Sequence, residues 1–171
     1  MGAVTVRFRV EVLGPAHRRS DFSCGNEALD RYLAHQAGQD VRRRVSVCYV
    51  AVDDASGTVA AYYTLAAGSV LLSGLSEDLA RRLPRYPSVP IARLGRLAVD
   101  RRYQGCKLGG ALLADAAVRA LRSEIGVFAL VGDAKDDAAA AFYRRHGFHA
   151  LIGNGKQVIL ALNGFSPAPS L

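Results

Sequence analysis

A glycine-bearing loop between an apolar run and a helical pattern is the first stretch whose residue types could do chemistry. The apolar run is Leu94–Asp100, the loop reads Gln104-Gly105-Cys106-Lys107-Leu108-Gly109-Gly110, and residues 111–121 carry apolar side chains at helical spacing. The N–H groups of such a loop and of the next helix N-terminus present partial positive charge to an anion. Because glycine has no Cβ, phosphates can approach the backbone closely. One interpretation is therefore a phosphate-binding loop, and the other is an ordinary strand–turn–helix unit.

Two segments of the chain resemble signatures of the GNAT superfamily of N-acetyltransferases. In that family a loop of the form Q/R-x-x-G-x-G/A grips the pyrophosphate of CoA. Gln104 and Gly109 match its first and last positions, and Lys107 stands where the pattern has its middle glycine. Lysine keeps the main-chain N–H and adds charge, but it adopts a positive φ less readily than glycine does. The second segment, Ala140–Phe148 (AAFYRRHGF), resembles the family's C-terminal FYxxxGF element.

The resemblance implies the fold class and the cosubstrate. The fold would be α/β, a single GNAT-like domain whose mixed, mostly antiparallel central sheet is splayed at the acyl-CoA site and flanked by helices. Acetyl-CoA would be the donor, with no metal. Main-chain groups of Leu97, Ala98 and Val99 would bind the pantetheine arm, and one N–H there would polarise the thioester carbonyl. The other cofactor contacts that it implies are Gln104, Gly105, Cys106, Lys107, Leu108, Gly109, Gly110 and Phe142.

The resemblance also places Tyr143 near the CoA sulfur, where a phenol can protonate the departing thiolate as a general acid. The alternative is that Tyr143 packs its ring and binds CoA without transferring a proton. A general base is harder to find in the sequence. Asp100 and Asp133 each follow an apolar run, and we interpret both as parts of solvated turns. The α-amine of an aminoacyl ester does not require a base if its pKa is near neutral.

The N-terminal half resembles a narrower group, the acetyltransferase toxins of type II toxin–antitoxin pairs. The residues that carry this resemblance are Phe22–Leu33, Tyr62–Leu65, the proline-rich Leu83–Pro87 and Ala92–Asp100, with LGRLAVD as the most specific part. Those toxins acetylate the α-amine of charged tRNA and halt translation. The resemblance therefore implies aminoacyl-tRNA as substrate, a ribbon-helix-helix antitoxin as partner, and a homodimer.

The charge of the chain suits an anionic substrate. Its 22 Lys and Arg against 15 Asp and Glu give a net charge of +7, and backbone phosphates attract such a surface without reading sequence. Each arginine taken singly also fits an ordinary solvated face. The candidates for contacts with the tRNA acceptor stem are Arg42, Arg43, Arg85, Arg93 and Arg96.

Length and composition limit the remaining possibilities. A chain of 171 residues predicts one domain, here 1–163, with 164–171 as a flexible tail. The odd count of three cysteines and the scattered histidines match no metal motif. Without an apolar run long enough for a bilayer, the sequence predicts reduced thiols in a cytoplasmic protein that does not contact a membrane.

The elements that would position these residues follow an α/β order. We predict a first strand over 4–13, a helix capped by Asn26 and a polar connector over 40–44. A hairpin with strands 45–52 and 58–65 follows, and then a short helix over 75–83 capped by Ser76. A proline-rich segment comes next and precedes a central strand that begins at Ile91. The remaining predictions are a helix over 111–121, a buried strand over 127–131, a helix over 138–146 ended by Gly147, and strands over 148–152 and 157–162.

Two other functions stay open on the sequence. One is a GNAT enzyme that acetylates a small amine, an antibiotic or a protein N-terminus, although a cationic antibiotic would favour an acidic site. The other is a degenerate member that binds CoA or a partner without catalysis, which Lys107 supports and the intact Tyr143 opposes. Binding of acetyl-CoA separates the second of these from the rest.

Overall fold

The computed structural model describes residues 5–165, without the side chains of residues 154 and 155. The first residue of the predicted first strand and residues 166–171 of the predicted tail lie outside the described residues. Contacts between Cα atoms divide the chain into two compact units. The first comprises the described residues of Met1–Leu65 together with Arg96–Leu112, and the second those of Ala66–Gly95 together with Leu113–Leu171.

Strands and helices are interspersed along the described chain, and the strands form one sheet in the order β1-β2-β3-β4-β5-β7-β6. The predicted class, α/β with a mixed and mostly antiparallel sheet, is confirmed. The elements are β1 Phe8–Val12, α1 Glu27–His35, α2 Ala37–Arg42, β2 Val47–Asp53, β3 Val59–Leu71, α3 Glu77–Ala80, β4 Ser88–Val99, α4 Leu108–Leu121, β5 Ala129–Asp133, α5 Asp137–Arg145, β6 His149–Leu151 and β7 Asn154–Ala161, with 3-10 turns at Leu72–Gly74 and Arg101–Tyr103.

The first unit is built on the antiparallel strands β1, β2 and the start of β3. Helix α1 begins where the sequence predicts, because the Asn26 side chain accepts hydrogen bonds from the N–H groups of Ala28 and Leu29. Phe22, Leu33, Cys48, Tyr62 and Ala98 belong to its buried core. The Tyr62 hydroxyl donates to the Leu29 carbonyl at 2.7 Å, so helix α1 is tied to strand β3 by a buried bond.

The polar connector predicted over 40–44 is wrong in its first residues, since helix α2 extends from Ala37 to Arg42. Two contacts explain why the polar sequence becomes helical there. The Tyr32 hydroxyl donates to the Asp40 carboxylate at 2.8 Å, and Val41 packs against the core of the first unit. Tertiary contacts therefore override the polar character of the segment.

The second unit contains the one parallel pairing whose register the structure describes, between β4 and β5, followed by β5–β7 and β7–β6 in antiparallel register. The prediction that the central strand starts at Ile91 is wrong by three residues, because β4 begins at Ser88 and includes Pro90. Pro90 lies near the start of the strand, before the register with β5 begins at Ile91, and its carbonyl accepts from the N–H of Phe128 at 2.9 Å. Ser76 caps α3 as predicted, accepting from the Leu79 N–H.

Helix α5 carries the second signature of the sequence. The Asp136 side chain caps it by accepting from the Ala139 N–H at 2.7 Å, and the helix ends at Arg145. Gly147 follows the helix end with a φ of 90°, a conformation that glycine adopts without strain. The turn returns the chain to Phe148, whose N–H donates to the Tyr143 carbonyl at 3.1 Å.

Candidate functional site

Tyr143 is buried on helix α5, with 6% of its surface exposed. Its ring makes edge-to-face contacts with Phe142, at 5.7 Å between centroids, and with Phe148, at 5.2 Å. Burial raises the pKa of the phenol to about 12, and the negative charge of Asp133 adds to the rise. The hydroxyl therefore keeps its proton throughout the neutral range, which is the state that a proton donor needs.

Gly132 lies directly against this ring. A Cβ built on Gly132 would be 3.0 Å from Cζ of Tyr143 and 3.2 Å from its hydroxyl oxygen. Gly132 is not among the site residues that the sequence predicts. The signal that could have found it is a glycine at the end of the apolar run 129–131, since a glycine within a strand often marks a close approach of another group.

Asp133, the next residue, ends β5 and pairs with Arg93 of β4. The Nη1 atom of Arg93 lies 3.6 Å from Oδ2 of Asp133, and half of the Asp133 side chain is exposed. The predicted exposure of Asp133 is confirmed, but its placement in a turn is wrong, because it is the last residue of β5 and lies in register with Gln157 of β7. Arg93, predicted as a tRNA contact, thus has a carboxylate partner in the same unit.

The parallel register between β4 and β5 runs from Ile91–Ala129 to Leu94–Gly132. Beyond Leu94, β4 continues to Val99, whereas β5 ends at Asp133. Leu97 and Val99 are half-buried and Ala98 is buried. The Val99 carbonyl accepts from the Gln104 side chain, whose amide nitrogen also donates to the Cys24 carbonyl, each at 3.0 Å. The Gln104 side chain is therefore used to hold the start of the loop.

Asp100 contradicts its interpretation as part of a solvated turn, because only 1% of its surface is exposed. Its carboxylate accepts from the Ser23 N–H at 3.0 Å and from the N–H and guanidinium of Arg102 at 2.9 to 3.0 Å. Burial alone would raise the pKa of this carboxyl, but the hydrogen bonds from Arg102 and Ser23 outweigh it and hold the pKa below its usual value. Asp100 thus anchors the turn that leads into the loop.

The loop itself has two residues with positive φ, Gly105 at 82° and Lys107 at 65°. Lys107 therefore adopts the left-handed conformation in which the family pattern places glycine, and this conformation costs a side chain about 1 to 2 kcal/mol. The Cys106 thiol donates to the Tyr103 carbonyl at 2.7 Å. Helix α4 begins immediately afterwards at Leu108, with Gly109 and Gly110 in its first turn.

A family model described as an acetyltransferase (GNAT) domain matches residues 44–150. The chain belongs to the GNAT acetyltransferase family. It is therefore an acetyltransferase that takes its acetyl group from acetyl-CoA, and the resemblance identified in the sequence is confirmed at this level.

Relatives of this GNAT acetyltransferase include toxins. A tRNA-acetylating toxin of Mycobacterium tuberculosis is 38% identical over 131 residues, which cover 75% of this chain and 76% of the relative. The solved structure of AtaT complexed with acetyl-methionyl-tRNAfMet matches with a TM-score of 0.86 and 27% identity, covering 92% of this chain and 96% of AtaT. A tyrosine-to-phenylalanine mutant of the AtaT toxin, bound to the C-terminus of the antitoxin AtaR, matches with a TM-score of 0.77 and 25% identity over 92% of this chain and 94% of that chain.

The arginines that the sequence offers for tRNA divide between the two units of this GNAT enzyme. In the first unit Arg42 and Arg43 are exposed at the end of α2, while Arg96 is half-buried with its guanidinium 3.6 Å from the centroid of the Tyr32 ring. In the second unit Arg85 is exposed and Arg93 pairs with Asp133.

Arg19 is a basic residue near this group that the sequence analysis does not single out. A Cβ on Gly38 would lie 3.1 Å from Nη1 of Arg19 and 3.4 Å from Nη1 of Arg42. Two guanidinium groups therefore converge on the glycine of α2, although the residues are far apart in sequence. No local pattern reports such a convergence, because it depends on how the connector before α1 folds back.

The remaining chemistry-bearing residues form no further centre in the described part of the chain. Cys24, Cys48 and Cys106 are free thiols, and burial raises the pKa of the Cys48 thiol to about 12. Within residues 5–165 no three His, Cys, Asp or Glu side chains are grouped to hold a metal ion. None of the helices formed by these residues is long and apolar enough to cross a bilayer.

Proposed function

We propose that this enzyme transfers the acetyl group of acetyl-CoA to the α-amine of aminoacyl-tRNA and thereby blocks translation. The observation that carries the proposal is the 38% identity with a tRNA-acetylating toxin over three quarters of the chain. The similarity to AtaT, solved with an acetylated methionyl-tRNA, supports the same substrate class. The net charge of +7 favours an anionic substrate such as tRNA.

The proposed reaction uses the buried phenol as its acid. The neutral α-amine attacks the thioester carbonyl carbon, and a backbone N–H of the Leu97–Val99 segment stabilises the oxyanion. The C–S bond then breaks, and the Tyr143 hydroxyl gives its proton to the CoA thiolate. The nitrogen, now part of an amide, loses one proton, which restores the phenol directly or through water. The products are N-acetyl-aminoacyl-tRNA and CoA, so atoms and charge balance.

The proposed cofactor contacts come from three parts of the chain. Main-chain groups of Leu97, Ala98 and Val99 bind the pantetheine arm, and Phe142 contacts the cofactor beside Tyr143. The backbone from Gln104 to Gly110 binds the pyrophosphate, supported by the positive end of the long helix α4. Asp100 holds the preceding turn in place through Ser23 and Arg102. Lys107 contributes a charge to the phosphates in addition to its N–H.

Two variants of Lys107 separate its charge from its conformation. Lys107→Gly and Lys107→Ala both remove the charge, but only glycine relieves the positive φ of 65°. We expect the free energy of unfolding, measured in urea, to be about 1 kcal/mol higher for Lys107→Gly than for Lys107→Ala. Both should bind acetyl-CoA about threefold to tenfold more weakly than the parent at low salt, and the loss should shrink at high salt. Equal affinity of all three proteins in calorimetric titrations would show that the lysine charge does not reach the phosphates.

The proposed tRNA contacts predict how the affinity for tRNA depends on salt concentration. We expect Arg42→Gln and Arg43→Gln each to weaken tRNA binding and to reduce the slope of log affinity against log salt by about one. Arg122→Gln, which removes an exposed charge outside the proposed contacts, is the matched control and should leave the slope unchanged. Filter binding over a salt series measures the effect, and equal slopes for all variants would remove Arg42 and Arg43 from the interface.

The test of the proposed function is acetyl transfer from radiolabelled acetyl-CoA onto total charged tRNA, with uncharged tRNA as control. We expect label on charged tRNA only, released by hydrolysis of the ester as N-acetyl amino acid. Binding of acetyl-CoA without label on tRNA would instead favour a small amine or a protein N-terminus as acceptor. Absence of both binding and label would contradict the assignment of catalysis.

The proposed partners follow from the same relatives. We infer that the enzyme binds an antitoxin, because an AtaT toxin mutant is solved with the C-terminus of the antitoxin AtaR. The sequence resemblance to the type II toxins is the basis for proposing that this antitoxin is a ribbon-helix-helix protein and that the enzyme is a homodimer. Charged tRNA is used where translation takes place, so the proposed activity also places the enzyme in the cytoplasm. Light scattering at low protein concentration checks the oligomeric state, and a monomer that is fully active would refute the dimer.

A further inference from the structure

We infer that Gly132 is the positioning residue that fixes the Tyr143 hydroxyl for proton transfer, because its backbone occupies the place against which the phenol rests. This inference rests on the proposed role of Tyr143 as the acid. It assigns a part in the reaction to a residue that presents no functional group of its own.

Even the smallest side chain at residue 132 would come very close to the Tyr143 ring. A Cβ added to Gly132 would lie 3.0 Å from Cζ, 3.1 Å from Cε1 and 3.2 Å from the hydroxyl oxygen of Tyr143. Non-bonded carbon atoms are at their optimal separation at about 3.5 to 4.0 Å. A methyl group at residue 132 would therefore overlap the end of the ring that carries the hydroxyl, and it would displace that end by several tenths of an ångström.

Neither the Gly132 backbone nor the Tyr143 ring can move away from the other easily. The Gly132 backbone is held on both sides, in parallel register with Leu94 and in antiparallel register with Val158. The Tyr143 ring is backed by Phe148, of which only 2% is exposed. The Phe148 N–H also donates to the Tyr143 carbonyl, so ring and backbone are tied to the same neighbour. A new methyl group at residue 132 therefore displaces the phenol from its present position.

The backbone conformation does not require glycine at this position. Gly132 has no positive φ and lies within a regular strand. A glycine in a strand interior weakens the strand, because it loses more conformational freedom on folding and has no side chain to pack. The property of Gly132 that the structure does use is its lack of a side chain beside the phenol.

The expected consequence is confined to the step that uses the hydroxyl. A misplacement of about 1 Å in a reacting group can cost about 100-fold in rate. We therefore expect Gly132→Ala to lower kcat at least tenfold, while KM for acetyl-CoA and the dissociation constant of acetyl-CoA change less than threefold. Gly126→Ala is the matched control, since a Cβ on Gly126 meets no atom within 4 Å, and it should retain the parent rate.

A double-mutant cycle tests whether Gly132 acts through Tyr143. In a Tyr143→Phe background the hydroxyl is already absent, so adding Gly132→Ala should lower kcat by less than twofold. If the loss of kcat in the double variant equals the product of the two single losses, the inference is overturned, because Gly132 would then act through some other group. Full activity of Gly132→Ala would overturn it as well. Full activity of Tyr143→Phe would instead refute the proposed acid, which is a different result from either of these.

Loss of folding in Gly132→Ala is also informative. In Gly132→Ala/Tyr143→Ala the ring that meets the new methyl group is gone, so this variant should melt at the temperature of Tyr143→Ala alone. Restored melting supports the steric contact. A double variant as unstable as Gly132→Ala would show that the methyl group clashes elsewhere and would overturn the inference.

Discussion

Tyr143→Phe is expected to lower kcat by about 100-fold to 10,000-fold, the range that a positioned general acid contributes. Phenylalanine keeps the ring, so the edge-to-face contacts with Phe142 and Phe148 remain. The affinity for acetyl-CoA should therefore stay within about twofold, and the loss should lie in turnover. Single-turnover transfer to charged tRNA and calorimetric titration of acetyl-CoA separate the two quantities.

The control for this variant is Tyr86→Phe, which removes a hydroxyl from a tyrosine that is 66% exposed. It should turn over like the parent enzyme. Since the pKa of Tyr143 is raised to about 12, the parent should also show no loss of rate from phenol ionisation up to about pH 10. Unchanged turnover in Tyr143→Phe would leave the ring with a packing role only.

Asp100→Ala is expected to reduce the free energy of unfolding by about 2 to 4 kcal/mol. The substitution leaves the Ser23 N–H and the Arg102 N–H without their acceptor beside a buried methyl group, and each lost bond to a charged carboxylate costs about 1.5 to 3 kcal/mol before relaxation. We expect the affinity for acetyl-CoA to fall as well, because the turn Arg101–Tyr103 leads directly into the loop. Urea unfolding and calorimetric titration measure the two effects.

The pH dependence of this stabilisation has a definite direction. The folded-state pKa of Asp100 lies below its usual value, so its contribution is complete above the unfolded-state pKa near about 4 and is lost as the pH falls through the folded-state pKa. Asp100→Asn should therefore flatten the acid side of the stability curve. Asp54→Ala, which breaks an exposed pair with Arg9, should cost far less, because solvent screens that pair. An equally small cost for Asp100→Ala would contradict the anchoring role.

Local rules of the sequence predict most of the elements. Asn26, Ser76 and Asp136 each accept the hydrogen bonds that a helix start requires, and those bonds involve residues two or three positions away. The turn at Asp53–Gly57 likewise produces its hairpin. The errors occur where distant contacts decide. Helix α2 depends on the bond from Tyr32 to Asp40, and the early start of β4 depends on Phe128 using the Pro90 carbonyl.

The candidate site divides in the same way. The loop from Gln104 to Gly110 and Tyr143 are both visible in the sequence, the loop because its glycines indicate a phosphate-binding turn and Tyr143 because its segment resembles the family's C-terminal element. Gly132 and Asp100 are not, since the first acts by the space it leaves and the second by partners such as Ser23, 77 positions away. Arg19 and Arg42 approach each other only once the chain has folded.

The order of strands in the second unit also determines when, during synthesis of the chain, the surroundings of β5 can be completed. Strand β5, which bears Gly132, lies between β4 and β7, and helix α5 contacts β7. Residues 154–161 are synthesised after both Gly132 and Tyr143. Until they pair with β5, that strand has an open edge beside Gly132. The strand against which the phenol packs is therefore completed only after residues 154–161 have been made.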